Sequence, residues 1–224
     1  MITFPVQKIL FDLDGTLVDT AADLHAATNH TLSSVGREPI SLDQVRNLTG
    51  YGAIRLIELG LDATGGRAGL DMTSLRHEFL QYYSQNICDH SSVFEGGFDM
   101  LNTLKEAGFQ MAICTNKPEA MAVKLLDEIG ISPYFNAVTG GDSFDFKKPD
   151  GRHLHKTSAM LEGAGNSIMI GDSSPDVNGA RSAGFPVIAV DFGYPDRPIN
   201  EMEPDAIISS LGDLPSLLTL TPSS

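Results

Sequence analysis

Ile9-Leu-Phe-Asp-Leu-Asp-Gly-Thr-Leu-Val-Asp-Thr20 is the stretch from which the rest of the chain is read. A short apolar run stops at two carboxylates spaced i and i+2, Asp12 and Asp14, with Gly15 next. Packing gives a buried strand no reason to end this way, because an unpaired buried carboxylate is costly. At the carboxyl end of a strand in an open α/β sheet, such side chains open into the crevice where ligands bind. Two acids on one strand tip point to a bound metal, to a covalent acyl intermediate, or to both.

Similar short runs, apolar on both faces, recur downstream at Gln110–Cys114, Ala137–Thr139, Ser167–Ile170, Pro186–Val190 and Ala206–Ile208, matching Lys8–Phe11. Helical patterns fill the intervals at Phe98–Glu106, Glu119–Glu128, Gly151–Leu161 and Val177–Ala183. Pro118 and Pro175 sit where first turns begin, and Gly108, Gly130 and Gly184 where helices end. This alternation predicts an α/β fold: a Rossmann-like parallel sheet core with helices on both faces. Residues 20–93 break the rhythm. They carry no strand signal, only helical stretches at Ala21–Val35, Leu42–Leu48, Ala53–Leu59 and Ser74–Asn86, with a Gly65-Gly66-Arg67-Ala68-Gly69 turn. The expected organisation is a catalytic core of residues 1–19 and 94–224 and an all-helical cap of residues 20–93, inserted after the first strand above the carboxyl ends of the sheet.

Composition excludes several classes. The chain has 224 residues, 42% hydrophobic and 20% charged, enough to bury a full core. Only the polar tail 219–224 reads as a candidate for disorder. A formal charge of −14 without any basic run argues against a nucleic-acid partner. No apolar stretch is long enough for a bilayer, and no signal peptide is evident, so a cytoplasmic location without membrane association is expected. Two cysteines, Cys88 and Cys114, make neither a disulfide framework nor a zinc site.

A second acidic cluster follows another strand, in Ile168-Met-Ile-Gly171-Asp172-Ser-Ser-Pro-Asp176. Taken alone, Asp172 and Asp176 would cap a helix. If their strand tip lies beside that of Asp12 and Asp14, each close pair repels by about 4 kcal/mol at 4 Å and an effective dielectric near 20. Protonation or a cation must then relieve them, and an all-oxygen ligand set selects Mg²⁺ over zinc or copper. Thr115 and Asn116 end another strand, where they are an ordinary helix cap or an anion-binding pair. Lys148, in Lys147-Lys148-Pro149, gains interest only from this company.

In order, Asp12-Leu-Asp14-Gly15-Thr16, Thr115-Asn116, Lys148-Pro149 and Gly171-Asp172 with Asp176 resemble the four motifs of the haloacid dehalogenase superfamily. The second acid resembles its phosphatase and phosphomutase branches and argues against dehalogenation. The resemblance implies that Asp12 is the nucleophile forming an aspartyl-phosphate and that Asp14 is the general acid and base. It implies Mg²⁺ on Asp12, Asp172 and the Asp14 backbone carbonyl, with Asp176 behind them. Thr115 and Asn116 would bind phosphoryl oxygens, and Lys148 would offset their charge.

The helical insertion resembles the small cap of the phosphoglycolate phosphatase and β-phosphoglucomutase group, and Leu48-Thr-Gly50-Tyr-Gly52-Ala-Ile-Arg55 resembles its Gly-x-Gly cap loop. Gly52 and Arg55 are therefore candidate substrate contacts, although Arg55 reads equally as an exposed helix charge. Asp191-Phe-Gly-Tyr194 and Pro204-Asp-Ala206 resemble the phosphatase subgroup as well; Phe94-Glu-Gly96 departs from its usual Tyr-Pro-Gly. The partner expected is a small phosphorylated metabolite, foremost 2-phosphoglycolate. The alternatives are a pyrophosphatase, a broad sugar-phosphate phosphatase or phosphomutase, or a catalytically idle binding module on this fold.

Overall fold

Ile9 and Phe11 face one side of the central strand β2 (Lys8–Phe11) and Leu10 the other, so the strand is buried on both faces. The computed structural model describes residues 3–46 and 49–221. After an outlying β1 (Phe4–Val6), β2 joins a six-stranded sheet. The other strands are β5 (Gln110–Cys114), β6 (Ala137–Thr139), β7 (Ser167–Gly171), β8 (Val187–Val190) and β9 (Ala206–Ile208). Their order is β6-β5-β2-β7-β8-β9, and every neighbouring pair is parallel.

Ile9, Phe11, Met111, Ile113, Ile168 and Ile170 meet the apolar stripe of α5 (Gly97–Glu106) and that of α6 (Glu119–Glu128). Leu10, Ala112, Cys114 and Met169 meet Leu154 of α7 (Gly151–Ala159) and Val177 and Ala180 of α8 (Ser174–Ala183). The strand expectations hold to within a residue, and α8 starts three residues before Val177 because a capping box of Ser173 and Asp176 nucleates it. Among the described residues, no helix is long and apolar enough to cross a membrane.

Between β2 and α5 lie four helices packed on one another: α1 (Ala21–Ser34), α2 (Leu42–Arg46), α3 (Ala53–Ala63) and α4 (Met72–Gln85). Residues 47 and 48, the end of the expected second helix, lie outside the described residues. The reading of residues 20–93 as free of strands is corrected at one end. Ser92–Val93 forms β4, antiparallel to β3 (Val18–Asp19), with Val18 opposite Val93. Two-residue strands carry no periodicity, which is why the ladder is invisible in sequence. Asp23 of α1 ties off the return: its carboxylate accepts from the His90 and Ser91 amides and from Ser91 Oγ at 2.6–3.1 Å. The tail expectation is corrected at its start, since β10 (Leu218–Leu220) pairs in parallel with β1, while residues 222–224 lie outside the described residues. Its apolar residues give β1 a partner that the polar flanks conceal.

Candidate active site

Strands β2 and β7 are direct neighbours, so Asp12 and Asp172, each one residue past its strand, emerge side by side. Asp176, in the first turn of α8, completes the group: one oxygen from each carboxylate lies within 4.8 Å of the others, and all three residues are buried. Two glycines permit the approach. Gly15 has φ +86°, and a Cβ there would fall 2.4 Å from Asp172 Oδ2; at Gly171 a Cβ would fall 2.3 Å from Asp176 Cγ.

Each acid has its own anchors. Asp172 accepts from Thr16 Oγ1 at 3.2 Å and from the Tyr194 amide at 2.7 Å. Asp176 Oδ2 takes the Ser173 amide and hydroxyl at 3.1 and 2.9 Å, and its Oδ1 takes Lys148 Nζ at 2.7 Å. Lys148 also lies 2.8 Å from Asp12 Oδ1 as an ion pair that lacks hydrogen-bond geometry. Burial pushes the Asp12 carboxyl up to about 6, against the pull of Lys148 and with the help of Asp176 and Asp14. Asp172 rises well above the carboxylate range through burial and the charges of Asp176 and Asp12. Burial opposes the charge on Lys148, but Asp12 and Asp176 outweigh it, so the ammonium stays protonated.

One lysine among three buried acids leaves a repulsion that either protonation or a bound cation must relieve. A hard cation between Asp12 and Asp172 fits both the donor chemistry and the charge deficit. Asp176 has three donors on its two oxygens already, which suits a supporting place better than a ligand's. The Asp14 carboxylate is outside this group; its backbone carbonyl is the only donor it has to offer there.

Asp14 instead meets Lys117, whose Nζ donates to both carboxylate oxygens at 2.6 and 2.9 Å. Sequence reasoning passed over Lys117, although it stands directly after Asn116 in the same loop. Thr115 is buried, its Oγ1 accepting from the Lys117 amide. Asn116 Nδ2 donates at 3.1 Å to two carbonyls, Gly50 and Lys148, joining the loop before α3 to the loop before α7; its Oδ1 is buried without a partner. Tyr51 and Asp196 were missed as well: Tyr51 Oη donates to Asp196 Oδ2 at 2.8 Å, while Asp196 Oδ1 accepts from the Ser174 amide. Burial and this bond push the Tyr51 hydroxyl up to about 12.

Two small cavities lie beside the Asn116–Pro118 loop. One of about 20 Å³, room for one water, is lined by Asp14, Lys117, Tyr83, Phe79 and Leu56. The other, about 70 Å³, is lined by Tyr51, Gly52, Arg76, Asn116 and Lys147. Gly52 thus reaches the site, at φ +87°. Arg55 does not: it lines neither cavity, and its guanidinium pairs with Glu58 at 3.1 Å on an exposed face of α3. The i,i+3 spacing places that acid within its reach. A depression of about 570 Å³ beside Lys8, His155 and Phe185 is at the amino ends of the strands, away from the acids.

This arrangement, acids at adjacent strand tips with a lysine from a third loop, belongs with a known class. The profile of the haloacid dehalogenase-like hydrolases matches residues 9–190, and the chain belongs to that family; it is an enzyme, a hydrolase. It is similar, within the family, to proteins named phosphoglycolate phosphatase. That of Agrobacterium fabrum is 41% identical over 210 residues, covering 92% of this chain and 89% of the relative. That of Caulobacter vibrioides is 41% identical over 220 residues, covering 96% and 93%. A crystal structure from Haemophilus somnus, described as a predicted phosphoglycolate phosphatase, superposes with a TM-score of 0.85 at 29% identity, covering 94% of this chain and 96% of that one.

Proposed function

We propose that the chain is a Mg²⁺-dependent phosphomonoesterase that hydrolyses 2-phosphoglycolate to glycolate and phosphate through an aspartyl-phosphate on Asp12. The observation that carries the reading is Asp12 itself: buried at a strand tip, held by Lys148, and grouped with Asp172 and Asp176. Identity of 41% over nearly the whole chain to proteins named for this substrate supports the choice of ester.

An Asp12 oxygen attacks phosphorus; the new O–P bond forms as the ester P–O bond breaks. The departing electron pair goes to the glycolate oxygen, which receives a proton from Asp14. Asp14 then takes a proton from the water that attacks the aspartyl-phosphate, releasing phosphate and restoring Asp12. Lys148, Thr115 and Asn116 stabilise charge on the phosphoryl oxygens. Asp12, Asp172 and the Asp14 carbonyl would hold Mg²⁺, which would supply neutralising charge where the two anions meet.

Helices α1–α4 serve as a cap on residues 20–93, over a core of residues 1–19 and 94–224. The loop at Gly50–Gly52 closes on the core through Asn116 and Asp196. A panel of phosphate monoesters, assayed with Mg²⁺ and with chelator, tests the reading. The highest kcat/KM is expected for 2-phosphoglycolate, lost on chelation; equal turnover of sugar phosphates or pyrophosphate would overturn the substrate assignment.

A further inference from the structure

Lys117 is buried where its charge has no obvious structural use. Its side chain is 3% exposed and that of Asp14 is 7%, and a buried ion pair seldom stabilises a fold more than apolar residues of equal volume. The pair is nevertheless tightly built. Lys117's amide donates to Thr115 Oγ1, and its carbonyl accepts from Gly141 at 2.9 Å, so the backbone is pinned on both sides. Its ammonium lies 4.6 Å from the centre of the Tyr83 ring, on α4, and takes both oxygens of Asp14. All three residues wall the one-water cavity.

Asp14 is two residues from Asp12, and two buried carboxylates this close in the chain repel one another. Without a counter-charge, the Asp14 carboxylate would be driven away from Asp12 and from any phosphoryl group there. We infer that Lys117 is a positioning residue: seated by Tyr83 of the helical segment, it holds the Asp14 carboxylate facing the leaving-group oxygen. The inference rests on the reading of Asp14 as the general acid. One Asp14 oxygen stays on Lys117 while the other gives its proton to the departing oxygen. The seat on Tyr83 also makes this aim depend on α4 lying against the core.

The test uses the full chain with Mg²⁺ and reads kcat/KM, which reports the steps through departure of the alcohol. Two substrates are compared: an alkyl phosphate, whose alkoxide needs a proton, and a nitrophenyl phosphate, whose phenolate does not. Lys117→Met should lower kcat/KM for the alkyl ester about a hundredfold, the lower end of the usual worth of acid catalysis, and leave the aryl ester unchanged. An equal loss on both esters would overturn the inference in favour of a structural role. Asp14→Asn separates this from the underlying reading: if it too lowers both esters alike, Asp14 is not the acid. Should the single Lys117 variant fail to fold, Asp14→Asn with Lys117→Met, which buries no unpaired charge, decides. The double variant should match Asp14→Asn alone. A further loss in the double, relative to Asp14→Asn, would overturn the inference.

Discussion

Lys148 Nζ donates to Asp176 Oδ1 at 2.7 Å while lying 2.8 Å from Asp12, so one ammonium joins the tip of β2 to the first turn of α8. None of the three is more than 3% exposed at the side chain, which makes the lysine structural and chemical at once. Lys148→Met should abolish turnover and also lower unfolding free energy by about 3–5 kcal/mol, the usual result of stranding buried charge. Denaturant unfolding of the metal-free variant checks the second half.

The same electrostatics make metal binding a stability effect. With Asp172 held well above the carboxylate range by burial and its acidic neighbours, the folded metal-free protein is destabilised near neutral pH. Mg²⁺ should raise Tm and chelation should lower it. Asp172→Asn should stabilise the chelated protein, remove the response to Mg²⁺, and end activity.

His153 gives a second pH dependence. It is fully buried against Thr139, and burial with the Lys148 charge lowers its imidazole to about 4. In the unfolded chain the ordinary value is about 6.5, so the unfolded state binds the extra proton first. The neutral ring's contribution is therefore intact above about 6.5 and is lost as pH falls towards 4, by up to about 3 kcal/mol. Unfolding curves across this range should be flatter for His153→Gln than for the parent, both measured with saturating Mg²⁺.

Tyr51 anchors the Gly50–Gly52 loop to Asp196 on the core. Removing its hydroxyl should cost about 1 kcal/mol of loop docking, given the partial exposure of the pair. Tyr51→Phe should accordingly raise KM several-fold with little change in Tm, because the loop detaches without the core unfolding. Steady-state kinetics beside a thermal melt separate the two effects.

The sheet was legible because its strands are buried on both faces. Ile9, Leu10 and Phe11 form an uninterrupted apolar run that ends in charge, and β7 and β8 repeat that pattern before Asp172 and Asp191. Asp12 and Asp172 were legible for the same reason, as charges with no packing purpose. What stayed hidden was local or relational. The β3–β4 ladder is two residues deep, and the polar tail conceals β10. Lys117 and Lys148 look alike in sequence; only the fold sends one to Asp14 and the other to Asp12. Arg55 shows the converse, since a cation near a glycine loop turned out to have Glu58 as a nearer partner.

The central claim is that Asp12 carries the phosphoryl group between the two half-reactions. Labelled 2-phosphoglycolate mixed with excess enzyme, quenched in acid within one turnover and digested, should leave a hydroxylamine-labile phosphoryl group on the peptide containing Asp12. Asp12→Asn should show neither label nor turnover. A label on another residue, or substantial turnover by Asp12→Asn, would contradict the account.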